Sequence, residues 1–296
     1  MENDNRPWLI FGGIVILTFI GIIVWVELQS RHLLSSNTVV PEPASRTFDS
    51  GELVEVPVLS DAIIHSTDPV LHYSVDVHYP KLALVGHPDL AKDANAVIET
   101  FVQDAIQDFK TNVSEINSPS LPKDIESDYT MRYTALLLSP TIISLRFDYS
   151  EYTAGATHPN NLARVLNYDL KRHFLLSTAD LFASTTAALP FLSTYTRVVL
   201  KDMMSGEAKE IFEQQTMPGT LPTHENFQEV AITKKGLLVI FNPYQVAPYA
   251  RGTILVPIPV SDTQGILADA TEEAIRLASS NIVEATPENV ATGTPK

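Results

Sequence analysis

The chain has 296 residues, 45% of them hydrophobic and 19% charged, with a mean hydropathy of +0.06, which supplies enough apolar material for a packed core and excludes a wholly disordered chain. Lys and Arg number 20 against 35 Asp and Glu, a formal charge of -15 that repels phosphate backbones and argues against nucleic-acid binding. Cysteine is absent, so disulfide frameworks, thiolate metal sites and cysteine nucleophiles are excluded.

Residues 8–26 contain no ionisable side chain and have Trp8 and Trp25 near their ends. At about 1.5 Å per residue such a run crosses a hydrocarbon core of roughly 30 Å, so it reads as one transmembrane helix with interfacial aromatics. Glu27-Leu28-Gln29-Ser30-Arg31 has no small-residue cleavage pattern, so the span is expected to stay as an anchor. The tail at 1–7 carries Arg6 against Glu2 and Asp4. A tail this short is expected in the cytoplasm, with the C-terminal part extracytoplasmic. Residues 27–60, with Ser35, Ser36, Asn37, Pro41, Pro43 and Pro57, read as a linker.

Leu71, Tyr73, Val75, Val77 and Tyr79 alternate with His72, Ser74, Asp76 and His78, a half-buried strand ended by Pro80. Val97, Ile98, Phe101, Val102, Ala105, Phe109 and Val113 recur at helical spacing and predict a helix over 89–116. Strands are expected at 129–138 and 142–149, joined as a hairpin through Ser139-Pro140-Thr141, and at 162–170. Ser177 opens a short helical turn, and a helix is predicted from Pro190 to Met204 with Gly206 after its end. Another helix is expected at 207–215. Strands follow at 227–232, 237–242 and 253–258, the first two joined by Lys234-Lys235-Gly236. Beyond 268 a tail is expected, with one helix at 271–280 and no structure at 286–296. Sequence-adjacent strands with helices in blocks predict an α+β fold with a largely antiparallel sheet.

Tyr152-Thr153-Ala154-Gly155-Ala156-Thr157-His158-Pro159-Asn160, followed by Asn167-Tyr168-Asp169-Leu170 and Leu181-Phe182, resembles the Tyr-x-Gly-Gly-Ala-His signature and later motifs of the RsiV C-terminal domain family. So does the segment at 236–252, which contains Phe241-Asn242-Pro243-Tyr244 and Ala247-Pro248-Tyr249-Ala250. Tyr73-Ser74-Val75-Asp76-Val77-His78-Tyr79-Pro80 is similar to the opening strand of the PdaC/RsiV-type N-terminal module. The sequence departs from the pattern in two places: Ala154 takes the place of the first glycine, and Thr157 is an extra residue before His158. The resemblance implies modules at about 61–140 and 141–267. It also implies an extracytoplasmic domain of the kind that binds lysozyme in RsiV, without the sigma-factor-binding region of RsiV or the separate catalytic domain of PdaC.

Gly155, placed in a turn after a strand, points to a positive-φ bend that presents His158, Asn160 and Asn161. Pro243 and Pro248 with Tyr244 and Tyr249 define a corner with aromatic faces suited to sugar rings or a protein edge. Thr153, Gly155, His158, Asn160, Asn161, Tyr244 and Tyr249 are therefore the ligand-binding candidates. The same residues also read as a structural turn and as core packing. Asp76 and His78 share a strand face at metal-ligand spacing, with His72 further along the strand, and a solvated polar face is the other reading. Asp148, Glu151 and His158 fall near one loop and offer acid–base groups. Asn112-Val113-Ser114 matches a glycosylation sequon. HExxH, GxSxG, DxD and P-loop motifs are absent, so no catalytic residue, metal or cofactor is assigned. The expected function is a membrane-anchored extracytoplasmic binding or sensing module for a cell-envelope protein or glycan. An envelope polysaccharide hydrolase and an accessory subunit of a membrane complex are the alternatives.

Overall fold

The computed structural model describes residues 56–84, 86–116, 125–204 and 209–280. The apolar run at 8–26, the linker up to 55 and the tail from 281 lie outside the described residues. Among the described residues no helix is long and apolar enough to cross a membrane.

Strands β1 (Val58–Asp68), β2 (Tyr73–Ala83), β3 (Ser127–Leu138), β4 (Ile142–Tyr152), β5 (Asn160–Asp169) and β6 (Phe174–Leu175) form one sheet in chain order. All neighbours are antiparallel except β2 and β3, which pair in parallel. That pair needs a crossover, and helix α1 (Pro88–Ile116) lies between them in the chain. The second layer comprises helix α2 (Thr185–Met203), strands β7 (Val230–Thr233), β8 (Gly236–Phe241) and β9 (Ile254–Pro259), and helix α3 (Asp269–Ser280). The fold is α+β with a mostly antiparallel sheet, as expected from the pattern.

Two apolar clusters form on the two faces of the large sheet. On one face Ile98, Val102 and Phe109 of α1 meet Val75, Val77, Tyr129, Met131, Leu145 and Phe147. On the other, β7, β8 and β9 with α2 and α3 enclose Leu192, Leu200, Val230, Ile232, Val239, Phe241 and Ile275. β3 serves both. Its pairing with β4 shifts between Ala135 and Leu137, so Leu136 is an extra residue and side-chain parity reverses. Before the bulge Tyr129 and Met131 face α1, and after it Leu137 enters the second core beside Ile142.

Several boundaries differ from those read in the sequence. β1 begins at Val58, inside the segment read as linker, and was missed because its inward row of Ala62, Ile64, Ser66 and Asp68 turns polar after Ile64. β2 runs through Pro80 to Ala83. Its pairing with β3 ends at Val77, so a residue lacking an N–H is tolerated beyond it. His72 precedes β2 at φ +52°, so it is a turn residue rather than part of the strand face. α2 begins at Thr185 after the extended Ser184, with Pro190 inside it. The stripe Ala188, Leu192, Thr196 and Leu200 is buried along its length, and that packing outweighs the start signal that proline gives. The helix expected at 207–215 is helical at Lys209–Ile211, a π-turn at Phe212–Thr216 and helical again at Met217–Gly219. α3, read as a helix within the tail, buries Thr271, Ala274, Ile275 and Ala278. The division at 140 falls in the β3–β4 turn, inside one sheet.

Candidate functional site

The loop at 153–159 leaves β4 through a turn in which Ala156 N–H donates to the Thr153 carbonyl at 2.9 Å. Gly155 sits at φ +91°, the left-handed conformation its position implied. The Ala154 N–H is fixed by Ser127 Oγ at 2.9 Å. Asn160 and Asn161 open β5, both exposed.

The loop at 242–252 comes from the second layer and is braced from behind. Gln245 Nε2 donates to the Asn226 carbonyl at 2.9 Å, and Thr216 Oγ1 donates to the Val246 carbonyl at 2.8 Å. Val246 and Ala247 are buried in the core. Gly219 permits this approach, since a Cβ there would lie 1.9 Å from the Gln245 carbonyl oxygen. On the outer side Tyr244 is exposed and Pro243, Pro248 and Tyr249 are half-buried.

The two loops meet through their aromatic residues. The His158 ring stacks on Tyr249 with centroids 4.1 Å apart, and Tyr244 tilts against Tyr249 at 5.3 Å. The Pro159 carbonyl accepts from Tyr249 Oη at 2.7 Å and from His158 Nδ1 at 2.9 Å. Because a carbonyl only accepts, Nδ1 carries a hydrogen, and in the neutral ring the Nε2 lone pair faces the Tyr244 hydroxyl at 3.4 Å. Asn161 Nδ2 donates to Tyr249 Oη at 3.0 Å. Tyr244 is 58% exposed and held at φ +70°, a backbone state that costs a bulky residue about 1–3 kcal/mol and collects at binding sites. An exposed aromatic shelf with a hydroxyl, an imidazole nitrogen and an amide at its rim can stack on a flat apolar face and hydrogen-bond to its polar edge.

Of the sequence candidates, the structure brings His158, Asn161, Tyr244 and Tyr249 together. Thr153 and Gly155 shape the turn, and Asn160 starts the strand beside Glu151. Of the other two constellations, Asp76 and His78 approach to 3.9 Å but are each bonded more closely elsewhere, and Asp148, Glu151 and His158 are each engaged by other residues. Asp76 pairs with Arg132, whose guanidinium holds the Asp76 carboxyl below its ordinary value, while His78 Nδ1 meets Asp61 at 2.7 Å. Asp148 pairs with Arg146, and Glu151 accepts from Asn112 Nδ2 at 3.2 Å, which also engages the asparagine of the sequon. Among the described residues no three His, Asp or Glu side chains are arranged to hold a metal ion.

Sequence reasoning missed what joins the two layers beneath the shelf. Asn242 Oδ1 accepts from the Ala163 N–H at 2.7 Å and Asn242 Nδ2 donates to the Ala163 carbonyl at 3.1 Å. Glu229 accepts from the Val165 N–H at 2.6 Å and from Arg164 at 3.3 Å. Two side chains thus occupy the outer edge of β5 where a strand would otherwise pair. Burial pushes the Glu229 carboxyl above its ordinary value, with Arg164 opposing. No local signal marks these residues, because their partners are 79 and 64 positions away.

Residues 66–161 match the family model described as deacetylase PdaC, and residues 179–261 match the one described as protein of unknown function, DUF3298. The chain carries a PdaC-type module followed by a DUF3298 module. His158 and Asn161 lie in the first and Tyr244 and Tyr249 in the second, so the shelf is assembled from both. The peptidoglycan-N-acetylmuramic acid deacetylase PdaC of Bacillus subtilis is 23% identical over 175 residues, 59% of this chain and 36% of that protein. Immunogenic protein MPT64 of Mycobacterium tuberculosis is 27% identical over 117 residues, 39% of this chain and 48% of that protein. The chain thus spans less than half the length of these curated relatives. A DUF3298-family structure from Bacteroides fragilis shares the fold at a TM-score of 0.51 and 17% identity, over 77% of this chain and 98% of that one. A second, from Pseudomonas aeruginosa, has a TM-score of 0.49 and 13% identity over 74% and 97%.

Proposed function

We propose that this protein is a membrane-anchored extracytoplasmic binding module that holds a cell-envelope ligand on the His158–Tyr249–Tyr244 shelf, with no catalytic turnover of its own. The convergence of two loops from different modules on one exposed aromatic surface carries this reading. Loops braced by a rigid sheet are where recognition residues are usually placed. The apolar run at 8–26 supplies the anchor. The resemblance of both loops to the RsiV C-terminal domain family supports a receptor-like role, and the name of the relative PdaC supports a peptidoglycan setting. Amino-sugar glycan is the ligand class best suited to stacking on tyrosine with polar groups at the rim. A basic envelope protein such as lysozyme is the second, since a chain of net charge -15 attracts cationic partners.

Full-length protein in detergent, mixed separately with purified peptidoglycan sacculi and with lysozyme, tests the proposal. Binding to one of them should weaken by about 1–3 kcal/mol when His158 or Tyr249 is changed to alanine. Salt should weaken the lysozyme arm far more than the glycan arm. Release of acetate or of reducing sugar ends from the sacculi would replace the binding reading with an enzymatic one.

A further inference from the structure

The large sheet has two edges, and the protein treats them differently. The β5 edge is occupied by Asn242, Glu229 and β6, as described above. The β1 edge has no strand against it among the described residues. Of the features that normally blunt an edge, β1 has only the charges of Asp61 and Asp68. It is 11 residues long, contains no proline, lysine or arginine, and pairs with β2 from Val58 to Asp68 without a bulge. Val58 and Ile63 are 62% and 61% exposed.

We infer that β1 is a self-association strand, pairing antiparallel with β1 of a second copy of this chain about a two-fold axis through Ile63. The β1 sequence is complementary to itself in that register. Ile63 faces the partner's Ile63, Asp61 faces the partner's His65, and His65 faces the partner's Asp61. On the opposite side of the strand Ala62 and Ile64, which pack at the margin of the α1 core, face the partner's Ile64 and the partner's Ala62. A slide of two residues sets Asp61 against the partner's Ile63 or the partner's Thr67 and loses both Asp–His pairs. A slide of one places the apolar row on the polar side.

The neighbouring strands extend the pattern. His65 is in register with Asp76, Asp76 pairs with Arg132, and His78 Nδ1 meets Asp61 at 2.7 Å. Across the joined sheets the polar contacts run Arg132, Asp76, His65, the partner's Asp61 and the partner's His78, with Arg132 and the partner's His78 reached diagonally because Thr130 and the partner's Pro80 hold the direct register positions. Opposite charges facing across strands stabilise a pairing, whereas like charges disfavour it. The polar constellation on β2 that holds no metal-binding arrangement thereby acquires a role.

A single strand pair is a small interface, so cross-linking reads it better than chromatography. The full-length chain has no cysteine, and each introduced cysteine reports alone. Paired residues of antiparallel strands have Cα atoms about 4.5–5.5 Å apart, within disulfide reach. Under mild oxidation in membranes, Ile63→Cys should form a covalent dimer about tenfold faster than Val198→Cys, a control on α2 that is 67% exposed. Asp61→Cys and His65→Cys chains should cross-link with each other when co-expressed. Neither should cross-link with its own kind, because two-fold copies of one of these positions lie about 13 Å apart. Equal rates for Ile63→Cys and Val198→Cys would overturn the inference, as would Asp61→Cys homodimers forming as fast as the mixed ones.

Discussion

The two faces of the six-stranded sheet differ in how many polar contacts accompany their apolar cores. Against α1 the contact is mostly apolar, with Val75, Val77, Met131, Leu145 and Phe147 fully buried beneath one long amphipathic helix. Asn95 of that helix holds β2 by accepting from the Leu82 N–H at 2.7 Å and donating to the Leu82 carbonyl at 2.9 Å. Against the second layer an apolar core is present too, but single polar side chains fix the register. Ser144 Oγ accepts from the Ile232 N–H at 3.1 Å, Asn167 Nδ2 donates to the Val230 carbonyl at 2.8 Å, and Asn242 and Glu229 grip β5. Both faces are keyed against sliding, the first at Leu82 and the second at several points along β4 and β5, because hydrogen bonds are directional and apolar burial is not. The aromatic shelf sits on the second face, where two modules must be aligned to within a hydrogen bond.

The largest effect is expected on the apolar face. Phe147, which packs on Phe101 at 4.9 Å, should cost about 3–5 kcal/mol when changed to alanine, read from chemical denaturation. Asn242→Ala should cost about 2 kcal/mol, since it strands both backbone groups of Ala163. It should also speed amide exchange at Ala163 while leaving Phe147 protected, which would separate the two faces directly. A smaller loss for Phe147→Ala than for Asn242→Ala would invert the comparison.

Glu229 sharpens it through pH. Its folded carboxyl titrates above the unfolded value, so its contribution is most favourable below the ordinary glutamate range and is lost as pH rises through the raised value. Glu229→Gln should flatten that part of the stability–pH profile, and an unchanged profile would remove burial as the dominant influence on this group. The smallest stability effect belongs to the shelf. Tyr244→Asn relieves a left-handed tyrosine and should leave stability unchanged or raise it by up to about 1 kcal/mol, while ligand affinity falls. Coupled loss of stability and binding would make Tyr244 a structural residue.

The elements that were legible in the sequence are those whose own period reports their burial. α1 shows its stripe from Ile98 to Val113, and the β3–β4 hairpin shows its turn at Ser139-Pro140-Thr141, where Ser139 Oγ accepts from the Thr141 and Ile142 N–H groups. Both site loops were legible as well, because glycine, proline and exposed tyrosine mark them. Their meeting was not. It depends on Asn242 reaching Ala163 and on Tyr249 reaching Pro159, contacts between segments that look like ordinary strand ends. β1 was hidden for a different reason: an edge strand buries little, so its alternation weakens toward Asp68. The start of α2 was masked by a proline that the buried stripe overrides.

The extra residue at Leu136 bears on how such a chain can be inherited. Because β3 turns one side chain into each core within a few residues, a break at the 139–141 turn would leave Leu137 without the partners that residues after 230 supply. The same break would leave Ile143, Leu145 and Phe147 without α1. The two halves are therefore not interchangeable cassettes, and recombination that swaps one for a distant relative's must carry a compatible bulge, or both cores open at once.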